Sequence, residues 1–347
     1  MNSKPECLYS FTYKPYTENE NFIKFSSFLS KDLVLLITNK NNVDVFSNFH
    51  DSNYIPSPKY SFVESNYIYD FSILKDDYHS PLIFICSKDN PIRVLNDKLV
   101  TEETYLIKNE TEVVINPNFV SIDSYGLNLF CGKNFLVKID LISGTKEYIK
   151  KSNKIKFNLL SSFDYNYKNG YYLLGSFNKD LLFCDYKTNK VISVKQELHS
   201  INQIKCFTKN EYQFIVGYRN SDCINIYDIR NLNQAYSQFY RNCLNSSQKI
   251  NFALNEDETL LYTGGIDGYI ISYNLEKYEY ANYFNVCTNE IDNIDIQNIE
   301  GISSLDIKDN ILLVTTGRRK FPQYDDEGNI KEVETKANES TFQFWKI

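Results

Sequence analysis

One tryptophan, one methionine and three histidines are all that 347 residues carry of those types, and what is scarce here removes whole classes of function. His50, His79 and His199 are too few and too scattered to build a histidine-based metal centre, and no HExxH, GxSxG, P-loop or GxGxxG sequence occurs. There are eight cysteines but no CxxC pair, so neither a zinc site nor a redox motif is expected. Most of the eight lie in apolar, strand-like stretches and read as reduced core residues. Long hydrophobic runs are missing too: Leu33 to Ile37 and Leu82 to Cys86 are strand-sized, far short of a membrane span. The first residues, MNSKPECLYSF, have neither the basic start nor the apolar core of a signal peptide. A soluble, intracellular protein is the expectation. Positive charge is in deficit, 37 Lys and Arg against 44 Asp and Glu, for a net −7. A broad nucleic-acid-binding face is thereby excluded, since such faces neutralise phosphates. No cofactor, metal, membrane or small-molecule substrate is expected, and no enzyme activity.

What is abundant is aromatic: 28 Tyr and 24 Phe, flat rings suited to packing between sheets. They sit in a recurring unit. Its clearest copy is Leu260 to Leu275 (LLYTGGIDGYIISYNL), an apolar strand, a Gly/Asp turn and an alternating strand that ends on an aromatic. Gln213 to Ile229 repeats it, with Gly217, Asp222, Tyr227 and Asp228 in matching places. Weaker copies start at Leu33, Leu82, Leu127 and Tyr171, and a split copy runs from Ile311 to Phe342. The starts lie 42–51 residues apart, the period of a WD-type propeller blade. The fold expected is all-β, a single seven-bladed WD-type β-propeller over residues 1–347.

Apolar segments upstream of each copy supply the first strands: Phe22 to Leu29, Tyr67 to Leu74, Phe119 to Ile122, Leu159 to Tyr165, Ile201 to Phe207, Lys249 to Leu254 and Ile302 to Ile307. The last blade ends at FQFWKI one strand short. Cys7 to Phe11 is left over, so the N-terminal strand is predicted to pair beside the C-terminal one and close that blade, leaving no exposed edge. His199 precedes the fifth copy by one strand, and the reading for it is structural: a hydrogen bond to Asp222 that helps fix Tyr227. Within the split copy, Gln323 to Ser340 carries six acidic residues against two lysines, a composition that predicts a flexible loop at about 323–340. Its start is different, with Arg318, Arg319 and Lys320 beside Phe321 and Pro322.

Several of these segments together resemble one family. They are Asp228-Ile229-Arg230, Ser247-Gln248-Lys249-Ile250-Asn251-Phe252, the turn Gly264 to Gly268, and Thr315-Thr316-Gly317-Arg318-Arg319-Lys320-Phe321-Pro322 leading through an acidic loop to Phe342-Gln343-Phe344-Trp345. Glu20 to Lys24, Ile68-Tyr69-Asp70 and Asp89 to Val94 extend the likeness to the first two blades. The chain resembles the WD-repeat family of the telomerase Cajal body protein and its budding-yeast relatives associated with pre-mRNA splicing. Most blades lack the Trp-Asp pair, and the long extensions of the animal proteins are absent, so the likeness is greater to the small yeast members. The resemblance implies a monomeric nuclear scaffold in splicing that associates with spliceosomal snRNP proteins, steadies the 5′ splice-site interaction, and leaves direct contact with small nuclear RNA open. Its alternatives are a scaffold for telomerase or small Cajal-body RNA, and a cytoplasmic protein–protein adaptor. The candidate partner or RNA contacts are Arg318, Arg319, Lys320, Phe321, Arg230, Arg241 and Lys249, expected to form one surface.

Overall fold

A computed structural model describes residues 5–13, 22–47, 49, 57–75, 80–109, 112–123, 125–149, 157–166, 168–188, 190–243, 248–286, 301–317 and 340–347. The described residues form strands and turns, with no helix among them long and apolar enough to cross a membrane. Seven four-stranded antiparallel sheets follow one another along the chain. The first is β2 (Ile23–Phe28), β3 (Leu33–Thr38), β4 (Asn42–Ser47) and β5 (Tyr60–Val63). The second is β6 (Ile68–Leu74), β7 (Leu82–Ser87), β8 (Ile92–Leu95) and β9 (Thr101–Tyr105). The third is β10 (Phe119–Ile122), β11 (Asn128–Gly132), β12 (Leu136–Asp140) and β13 (Lys146–Ile149). The fourth is β14 (Leu160–Asn166), β15 (Tyr171–Ser176), β16 (Asp180–Asp185) and β17 (Lys190–Gln196). The fifth is β18 (Ile201–Cys206), β19 (Gln213–Tyr218), β20 (Cys223–Asp228) and β21 (Ser237–Tyr240). The sixth is β22 (Phe252–Leu254), β23 (Leu260–Gly264), β24 (Tyr269–Asn274) and β25 (Glu279–Asn285). In the seventh, β26 (Ile302–Lys308), β27 (Ile311–Thr316) and β28 (Ser340–Lys346) are completed by β1 (Glu6–Tyr13). This is the seven-bladed β-propeller expected from the repeat.

The N-terminal strand sits where the missing fourth strand was predicted. Cys7 pairs with Trp345 and Phe11 with Phe342. Tyr13 anchors its end by donating from its hydroxyl to Asp44 at 2.5 Å, inside an apolar cluster with Phe46, Phe342 and Phe344.

By contacts the chain divides into two compact units, Met1–Lys59 with Phe252–Ile347, and Tyr60–Asn251. Within each unit the first strands of successive sheets touch: β6 with β10, β10 with β14 and β14 with β18 in one, β22 with β26 and β26 with β2 in the other. Apolar clusters fill the space between neighbouring sheets, for example Phe130, Phe163 and Tyr172, whose ring centroids lie 4.4–6.1 Å apart.

A repeated irregularity fixes these neighbours. Five first strands slip register after their first paired residue, at Ile23, Ile68, Leu160, Ile201 and Ile302. A bulge of this kind bends the strand and re-aims one side chain. Two of the re-aimed residues reach onward along the chain: Ser161 Oγ donates to the Ile201 carbonyl at the start of the next sheet at 2.7 Å, and Asn202 Nδ2 to that of Ile250, in the segment after β21, at 3.0 Å. Carboxylates on the same strands add a second link. Asp164 accepts the Cys206 N–H at 2.6 Å, and Asp306 accepts the Phe28 N–H at 2.9 Å.

The predicted His199–Asp222–Tyr227 network does not form. Glu197 takes its place: the hydroxyls of Tyr218 and Tyr227 both donate to Glu197 Oε2 at 3.0 Å, and Asn225 Nδ2 donates to each phenol oxygen at 3.1 Å. Lys195 lies 3.8 Å over the Tyr227 ring. Asp222 is engaged by the Cys243 N–H at 2.8 Å, and the His199 ring sits edge-on to Tyr218 at 6.3 Å. A carboxylate oxygen accepts from both phenols at once, where a neutral imidazole has a single acceptor nitrogen.

Seven cysteines are free thiols, five of them buried: Cys86, Cys131, Cys184, Cys206 and Cys243. Burial pushes the Cys86 and Cys131 thiols well up, and that of Cys184 up to about 12, away from thiolate chemistry. Cys287, residues 323–339 of the acidic loop and Arg318 to Phe321 lie outside the described residues, while Ser340, placed at the end of that loop by the sequence, opens β28.

Candidate interaction site

Each sheet has a leading end, where its first strand starts and its second finishes. Main-chain bonds tie these termini together in the unit Tyr60–Asn251. The N–H of Lys88 donates to Tyr67, that of Phe177 to Leu159, and that of Arg219 to Ser200, at 2.8–2.9 Å. Ser200 Oγ then donates to the Phe177 carbonyl at 2.6 Å, joining the fourth and fifth sheets. The side chains carried by these turns are therefore held on a rigid backbone.

Several of them converge. Lys249, leading into the sixth sheet, forms a 2.8 Å ion pair with Asp70 on β6, 179 residues away in the chain. Both side chains are largely buried, 21% and 13% exposed, so the pair is only partly screened by solvent. The Arg219 guanidinium lies 5.0 Å over the Phe177 ring, a cation–π contact. Burial lowers the pKa of Arg219, and the phenol of Tyr67 acts against that shift. Residues of the second, fourth and fifth sheets and of the segment before the sixth thus share one neighbourhood. It combines cations with ring faces. No cluster of three or more potential metal ligands occurs among the described residues.

The three described contact candidates do not make one surface. Arg241 follows β21, whose Tyr240 pairs with Cys223 at the start of β20, so it lies at the leading end. It is 3% exposed and donates to the carbonyls of Ile250 and Tyr218, both at 2.9 Å. Its guanidinium clamps the backbone of the residues beside Lys249 and Arg219. Arg230 follows Asp228 at the other end of β20, the length of a six-residue strand away, about 20 Å. There its side chain folds onto Asp228 at 2.8 and 2.5 Å and lies 4.6 Å over Tyr212. The Arg230 hydrogen bond holds the Asp228 carboxyl below its usual range. Lys249 alone of the three belongs to the convergent site. Arg219, Tyr67, Asp70 and Phe177 were not expected as one group, because nothing local in sequence reveals which turns meet.

No protein-family model matches the chain, and no curated protein matches it in sequence. Among solved structures it is similar to the crystal structure of the WD40 β-propeller domain of Doa1, with a TM-score of 0.65 at 11% identity. The match covers 99% of this chain and 97% of that one. At that identity the likeness is one of architecture, and the chain has the fold of a WD40-type β-propeller.

Proposed function

We propose that this protein is a non-enzymatic nuclear scaffold of pre-mRNA splicing, which associates with a spliceosomal snRNP and helps stabilise its 5′ splice-site interaction. The fold supports the scaffold part, since WD40 propellers ordinarily serve protein–protein assembly. The finer part rests on the family resemblance of the sequence. Two residues from segments that carry it, Asp70 and Lys249, lie far apart in sequence and form a 2.8 Å ion pair. A third segment, Asp89 to Val94, supplies Asn90 and Arg93, which hold the buried Glu64 at 2.8 and 3.1 Å. The resembling positions are thus ones on which side-chain contacts depend.

Replacing Arg318, Arg319 and Lys320 together by Glu tests the assignment. If these residues touch phosphate, association with the snRNP weakens and its salt dependence flattens. Unchanged association removes them from the contact. Recovery of telomerase or small Cajal-body RNA instead would redirect the scaffold to that cargo, and a partner set without RNP proteins would leave a cytoplasmic adaptor.

A further inference from the structure

We propose that Asn169, in the turn between β14 and β15, is a site of spontaneous deamidation that loosens the link between the fourth and fifth sheets as the protein ages. This chemistry does not depend on the scaffold reading. Asn169-Gly170 is the one Asn-Gly pair in the sequence. The attacking atom is the backbone nitrogen of the following residue, and glycine puts no Cβ beside it. Hydroxide takes the Gly170 amide proton, the nitrogen closes on Asn169 Cγ, and the Cγ–Nδ2 bond breaks to release ammonia. Water then opens the resulting succinimide at either of its carbonyls, giving aspartate or isoaspartate. The sum is asparagine plus water to aspartate plus ammonia, with no oxidant or cofactor consumed.

The folded chain leaves the reacting groups accessible. Asn169 is exposed, and the Gly170 N–H donates to no described residue. In the turn of the third sheet, by contrast, the Gly144 N–H is held by Asp140 at 2.9 Å. An amide proton outside any hydrogen bond is open to hydroxide. Among the described residues Asn220-Ser221 is the nearest rival, but its following residue carries a side chain and is 2% exposed.

The bonds around Asn169 set the consequence. Its Nδ2 donates to the Glu211 carbonyl at 3.0 Å, in the turn between β18 and β19, beside Asn166 Nδ2 at 2.9 Å and the Tyr171 hydroxyl at 3.1 Å. Lys168 Nζ adds a bond to the Thr208 carbonyl at 2.7 Å, so one hairpin clasps the next. Deamidation puts a carboxylate, which only accepts, opposite a carbonyl oxygen. Isoaspartate also lengthens the main chain by a carbon atom and shifts the Gly170 carbonyl, which accepts the Tyr186 N–H at 2.8 Å.

The test is peptide-mapping mass spectrometry of the intact protein, incubated folded and in urea at neutral and mildly alkaline pH. The folded protein should gain about 1 Da at Asn169 before any other asparagine, as two separable products and at a rate proportional to hydroxide. In Gly170→Ala the added Cβ meets nothing within 4 Å, so the fold is kept, and the methyl beside the attacking nitrogen should slow the reaction about tenfold. Aged wild type should exchange the Tyr186 and Gln213 amides faster than fresh protein, while Gly170→Ala held for the same time should not change. Modification confined to the urea sample, another asparagine reacting first, or a rate untouched by Gly170→Ala would overturn the site. Equal exchange in aged and fresh protein would overturn the loosening.

Discussion

Gly264 on β23 offers the sharpest check of how consecutive blades pack. A Cβ there would overlap Cβ and Cγ2 of Ile302 and approach its Cγ1 to 2.8 Å. Ile302 is fully buried at the start of β26 and cannot swing aside. Relief requires the two strands to separate by several tenths of an ångström to about 1 Å, and overpacking of this kind costs about 1–3 kcal/mol. Gly144 is the natural comparison. It has φ +69° and nothing within 4 Å of an added Cβ, so alanine there meets only the left-handed backbone penalty, about 1 kcal/mol. The assay is equilibrium urea unfolding of Gly264→Ala and Gly144→Ala beside wild type. Gly264→Ala should lower the midpoint clearly more, with little change in slope. Equal losses, or a neutral Gly264→Ala, would refute the close approach of β23 to β26.

Three further outcomes are expected. Tyr13→Phe removes the donor to buried Asp44 and should cost about 1–3 kcal/mol; deleting residues 1–13 should lower the melting temperature further, and an unchanged melt would mean that β1 does not complete its blade. A double-mutant cycle with Lys249→Met and Asp70→Asn should give a coupling of about 1–2 kcal/mol, between exposed and fully buried pairs; additivity would deny the ion pair. The carboxyl of Asp228 is held below its usual value by Arg230, so its contribution is present above an ordinary Asp pKa of about 3.9 and is lost as pH falls through the depressed folded value. The stability gap between wild type and Asp228→Asn should therefore be open at neutral pH and close below about pH 4 in urea titrations; a gap independent of pH would count against the bond.

The blade repeat was legible because each second and third strand is read from local alternation. Most first strands begin within a residue of expectation, and Phe119–Ile122 matches as it stands. β22 starts at Phe252 rather than Lys249, because Lys249 is spent on Asp70 and the Ile250 carbonyl accepts from Arg241 and Asn202. Those partners are distant in sequence, and periodicity does not register them. Arg241 was misjudged as a surface contact for the same reason: a cation in a connection looks solvated until the carbonyls it clamps are located. Glu197 left a signal that could have been used. Glu64 and Glu197 each stand four residues before a first strand, at Ile68 and Ile201, and both prove to be buried acceptors.

The claim that this propeller is a splicing scaffold is tested most directly by sequencing the RNA that co-purifies with the tagged protein from its own cells, with and without ultraviolet crosslinking. Enrichment of spliceosomal small nuclear RNAs is the predicted result, with crosslinks marking direct contact. A preparation free of them, or enriched instead in telomerase or Cajal-body RNA, would contradict it.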